Sequence, residues 1–170
     1  MLDTIFGIPV HALVVHAVVV LTPLLALMIL AFSVSARFRA WSGWLTVAVG
    51  ALATVFSFLA SSSGESLEER VGRSDLVHEH AEMGDVLPWV VLLATLVAAV
   101  LWWVWRRDRA TTPEDGRTGA SGLFRILAVV GVVAAVGLAV DVTLVGHSGA
   151  KAVWSDVGSK PAPAGGEGDD

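Results

Sequence analysis

Three stretches of this 170-residue sequence, 4–36, 40–64 and 86–105, contain no Asp, Glu, Lys or Arg. Each reaches the ~20 apolar residues that a helix needs to cross a bilayer. A fourth stretch, 126–145, is equally apolar except for Asp141 near its end, and its Val, Ala, Gly and Leu suit close helix packing in lipid. The expected fold is therefore all-α, an integral membrane four-helix bundle with spans near 9–34, 41–61, 86–105 and 125–145, forming one domain over 1–154. The overall 55% hydrophobic share agrees, being more than one soluble core of this size can bury. Residues 110–122 and the tail 155–170 are rich in Gly, Pro and polar or acidic residues, and are expected to be disordered.

The first span could be read as a secretion signal, but its flanking charges are reversed. Asp3 precedes it and Arg37 and Arg39 follow, so it is expected to stay as an anchor. Seven of the 11 basic residues fall between spans 1 and 2 or between spans 3 and 4: Arg37, Arg39, Arg106, Arg107, Arg109, Arg117 and Arg125. The other side carries Arg70, Arg73, Lys151 and Lys160, and also the acidic segment 65–85. Basic loops stay cytoplasmic, so both termini are expected outside the plasma membrane, on the same side. Trp41, Trp44, Trp102, Trp103 and Trp105 would mark the inner interface, and Trp89 and Trp154 the outer one.

Even topology has a consequence for the five histidines. His11 and His16 open span 1, His78 and His80 precede span 3, and His147 follows span 4, so all five belong to one side of the membrane. At ~1.5 Å per residue, His16 lies roughly 10 Å inside span 1 and Asp141 lies ~9 Å before His147. An intramembrane Asp normally faces the bundle interior and finds a partner, and His16 at similar depth is the expected one. A carboxylate that merely caps a frayed helix end near water is the alternative. His11 is about 140° from His16 around a helix and cannot share its face. His80 shares a stripe with Leu76, Met83 and Leu87 and is expected to point inward, whereas His78 groups with Glu82 and Asp85 and points to water. Gly84 would leave room beside the His80 imidazole.

Several chemistries are excluded. Without cysteine there are no disulfides, thiolate metal sites, covalent c-type haem or cysteine nucleophile, and tyrosine is absent as well. HEHAE places Glu82 where a zinc protease needs its second histidine, and GHSGA lacks the last glycine of a nucleophile elbow. No hydrolase, transferase or nucleotide-binding motif is found, and no nucleic-acid partner is expected. Gly43, Thr46, Gly50, Thr54, Ser57 and Ser61 line one stripe of span 2, most simply as a close-packing face.

PVHALVVH at the start of span 1 and VGHSGAKAVW after span 4 resemble the end motifs of a bacterial membrane family called domain of unknown function 2231. The likeness extends over 9–154, and by position it picks out His11, His16, His80, His147 and Gly149. In one respect the chain departs from that family, which usually has an aromatic and a proline after the second histidine. Here Ala17 and Val18 follow, and proline comes only at Pro23. The resemblance implies a topology and candidate residues, but no reaction.

The expected function is a histidine-lined cofactor site at the outer end of the bundle, holding b-type haem for electron transfer or redox sensing. Candidate haem ligands are His16, His80, His147, His11 and Met83, with Arg70, Arg73 and Lys151 available to the propionates. One alternative is a zinc or copper site using His16, His80, His147, Asp141 and Glu79. Another is a noncatalytic partner or proton-relay subunit in which Asp141 and His16 exchange a proton. The lipid bilayer is the expected surrounding, and a redox protein the partner that the haem reading calls for. Nothing in the sequence indicates an oligomeric state.

Overall fold

The computed structural model describes residues 4–5, 7–68, 74–111 and 121–155. A two-stranded antiparallel hairpin, β1 (Thr4–Ile5) and β2 (Ile8–Pro9), turns at Gly7, whose φ of 80° favours glycine. Five helices follow: α1 (Val10–Val34), α2 (Ala36–Ser42), α3 (Leu45–Glu68), α4 (Asp75–Thr111) and α5 (Gly122–Trp154). Four of them are long and apolar enough to span a membrane. The expected disordered segments lie largely outside the described residues, as do Arg70, Arg73, Arg117 and Lys160.

α1, α3, α4 and α5 form a square. α1 and α4 each pack against α3 and α5 and scarcely meet across the diagonal. Within the most apolar stretch of each span, at most 39% of residues are buried inside the bundle. Lipid must cover the rest. The core consists of residues from all four spans, including Leu25, Ile29, Phe32, Ala53, Val91, Leu101 and Leu138.

The helices are longer than the apolar runs. α4 has 37 residues, so it is ~55 Å long, against a hydrocarbon thickness of ~30 Å. It begins at Asp75 rather than near 86, with the Ser74 hydroxyl accepting from the Val77 N–H at 3.3 Å. α3 likewise continues to Glu68 and α5 to Trp154. Much of the acidic segment between spans 2 and 3 is thus helical, because polar residues outside the bilayer end the hydrophobic signal without ending the helix.

The link between α1 and α3 also holds the short helix α2. The Ser35 hydroxyl caps it by accepting from Phe38 N–H at 3.2 Å, and Gly43 ends it at φ 49°. At the same end of the bundle, Arg106, Arg107 and Arg109 lie over Trp102, Trp103 and Trp105, each one turn earlier on α4.

The polar stripe packs closely from Thr46 onward, whereas Gly43 lies before α3 and faces open space. Thr54 Oγ1 and Thr95 Oγ1 on α4 are 3.1 Å apart, and Ser61 donates to Asp85 at 2.7 Å. A Cβ on Gly50 would come within 2.7 Å of Thr95 Oγ1 and 3.2 Å of Leu25. Gly50→Ala should therefore lower stability by about 1–3 kcal/mol, with much of the loss recovered in Gly50→Ala/Thr95→Ala. Unfolding of both variants in one detergent checks this, and equal loss in the double variant would contradict the contact.

Candidate functional site

The start of α1, the ends of α3 and α5 and the start of α4 meet at one end of the bundle, where His11 of α1 reaches α3 and His80 of α4 reaches α5. His11 is half-buried there. Its Nδ1 lies 2.9 Å from the Ala60 carbonyl oxygen on α3, with the Ser63 hydroxyl at 3.4 Å. A carbonyl can only accept, so Nδ1 carries the proton, and in the neutral ring Nε2 keeps its lone pair.

His80, also half-buried, repeats this arrangement across the bundle. Its Nδ1 is 3.0 Å from Ser148 Oγ on α5, and that hydroxyl donates its only proton to the Val145 carbonyl at 2.9 Å. Ser148 must then accept from His80 Nδ1–H, leaving Nε2 of His80 without a proton in the neutral ring. The two imidazoles are close enough to interact electrostatically. Glycines make room for both rings: a Cβ on Gly64 would come within 3.1 Å of His11, and one on Gly149 within 2.9 Å of His80. Gly84, the expected neighbour of His80, faces open space instead.

The inward histidine of α1 is therefore His11 and not His16. His16 is exposed, and its Nδ1 bonds within its own helix to the Ala12 carbonyl at 2.5 Å. Helical phase explains the difference. The buried face of α1 runs through Val18, Thr22, Leu25, Ile29 and Phe32. His11 lies seven residues before Val18 and is nearly in register with it, whereas His16 is two residues away, about 160° around the helix. Hence the expected His16–Asp141 pair is not formed. Asp141 is partly buried on α5, and its Oδ2 is sealed from the surface without a hydrogen-bond partner.

The remaining candidates are dispersed. His78 points to water as expected, pairing with Glu82 at 3.3 Å and Glu68 at 3.7 Å. His147, Glu79 and Lys151 are exposed, and Met83 packs against the core. Among the described residues no three of His, Asp and Glu are grouped to hold a metal ion, so the set His16, His80, His147, Asp141 and Glu79 is not brought together. Ala60, Ser63, Gly64 and Ser148 belong to the site although none was singled out in the sequence for it. Ser148 had one legible signal, its place seven residues after Asp141 on the inner face of α5.

Helix length, apolarity and square packing define a multi-pass membrane protein of the four-helix type, embedded in the lipid bilayer. Residues 7–160 match the family model described as "Predicted membrane protein (DUF2231)", and the chain belongs to that family. No curated protein and no solved structure matches it.

If His80 rests against Gly149 as described, Gly149→Ala should destabilise the protein by about 1–3 kcal/mol. Gly146 is exposed and its Cβ would meet nothing, so Gly146→Ala should leave stability unchanged or raise it by up to about 1 kcal/mol. Chemical unfolding of the pair in one detergent compares them, and equal effects would contradict this packing.

Proposed function

We propose that His11 and His80 bind a cofactor through their Nε2 atoms at the outer end of the bundle, and that the cofactor is b-type haem serving electron transfer or redox sensing. One observation carries this reading. On two diagonally opposed spans, an imidazole is oriented by an Nδ1–H hydrogen bond to an acceptor on a third or fourth helix. Imidazole ligands to metals are commonly fixed in this way, the outer hydrogen bond setting both tautomer and ring angle. Haem b needs only such axial nitrogens, no cysteine, and a site between bundle helices. Lys151, at the same end, would be available to a propionate. The concentration of arginines at the opposite end argues that the histidine end faces outside.

A second reading is favoured by Asp141. A carboxyl in a membrane span with an unpartnered, buried oxygen suits a residue that binds and releases a proton. On this reading the histidine end and Asp141 would form a proton relay in a subunit that carries no cofactor.

A reduced-minus-oxidised spectrum of protein purified after expression with ample haem separates the two. The haem reading expects a Soret band in the wild type that is lost or strongly shifted in His11→Ala and His80→Ala and is unchanged in His16→Ala and His78→Ala. A colourless, folded wild-type preparation would overturn it in favour of the relay.

A further inference from the structure

The opposite end of the bundle holds a cation that, among the described residues, has no counter-ion. Arg39 on α2 is half-buried, and its Nη1 donates to the carbonyls of Phe32 at 2.8 Å and Ser33 at 3.2 Å. Its guanidinium lies 4.7 Å from the centre of the Phe124 ring near the start of α5. These partners are all uncharged. Among the described residues no carboxylate stands within ion-pair distance of Arg39, and burial pushes its guanidinium below the usual value. That direction is expected of a cation taken partly out of water without an anion to replace it.

Several hydrogen-bond donors there lack acceptors among the described residues. Arg39 Nε is sealed from the surface with no partner, and Nη2 beside it makes no hydrogen bond. One turn along α2, the Ser42 hydroxyl is 3% exposed and likewise unpartnered. The Nε and Nη2 edge of a guanidinium matches two oxygens of a phosphate, so an anion with several acceptor oxygens would satisfy what the protein leaves open.

The location selects the source of that anion. α2 joins two membrane spans, and Trp41 and Trp44 beside these donors are 71% and 65% exposed, as expected of side chains lying at the headgroup level. Arg37, Arg106 and Arg125 are exposed at the same end and would raise the local concentration of anionic lipid. We propose that Arg39 and Ser42, where α2 meets the start of α5, bind the headgroup phosphate of an anionic phospholipid, with Arg39 as its charge partner and Ser42 as a second donor. The site is independent of the histidines and of any cofactor they hold.

Native mass spectrometry of the purified full-length protein, titrated with phosphatidylglycerol, phosphatidylcholine or inorganic phosphate, tests the proposal. Phosphatidylglycerol should be retained in preference to phosphatidylcholine, and inorganic phosphate should not compete. Arg39→Gln should lose most of this retention, whereas Arg106→Gln, whose side chain stacks on Trp102, should keep it. Since Arg39 also caps α1, Ser42→Ala provides a milder variant, which removes one hydroxyl and should weaken phosphatidylglycerol about fivefold. Equal binding of both lipids, competition by inorganic phosphate, wild-type retention in Ser42→Ala, or equal loss in Arg106→Gln would each overturn the site.

Discussion

Hydrocarbon offers no hydrogen bonds, and that absence governs the structure more than any single contact. A polar group within the spans is costly unless it finds a partner in the protein, so the backbone is helical and most side-chain hydroxyls turn back on their own helices. Ser33 donates to Ile29, Thr54 to Gly50, Ser57 to Ala53, Thr95 to Val91 and Thr143 to Ala139, each reaching the carbonyl four residues earlier. Even the exposed His16 obeys the rule through Ala12. With so much polarity satisfied locally, the groups that reach across helices, or reach nothing, become informative. Among the described residues these include His11, His80 and Ser148 at the histidine end, Thr22, Thr46, Asp141 and the Thr54–Thr95 pair in the spans, and Arg39 and Ser42 at the arginine end.

The same constraint explains what the sequence could disclose. Four spans, their antiparallel order and the gathering of histidines at one end follow from runs of apolar residues and from counting crossings. The phase of α4 was legible too, because acidic residues at Glu82 and Asp85 label its wet side and leave His80 on the other. α1 carries no such label. It is apolar all round, so nothing in its own sequence says which face meets protein and which meets lipid, and the choice between His11 and His16 turns on partners in α3 and α5. Helix ends were similarly hidden. α3, α4 and α5 continue past the apolar runs into water, where hydropathy falls silent although helix propensity does not.

Glycine and serine are the quieter part of the histidine site. Gly64 and Gly149 let two imidazoles lie against helix backbones, while Ser148 accepts from His80 Nδ1–H and donates its own hydroxyl proton to the Val145 carbonyl. Small residues of this sort are common throughout membrane helices. They become recognisable as part of a site only once the histidines they touch are in place.

The central claim is that His11 and His80 are both held as Nδ1–H tautomers with Nε2 available. Nitrogen-15 NMR of the cofactor-free protein, labelled only at histidine and reconstituted in nanodiscs, reads this directly, the two residues being assigned by the signals missing from His11→Ala and His80→Ala. The account predicts that, once raised pH has made the rings neutral, both show a protonated Nδ1 and an unprotonated Nε2. Protonated Nε2 with bare Nδ1 at either residue would contradict it.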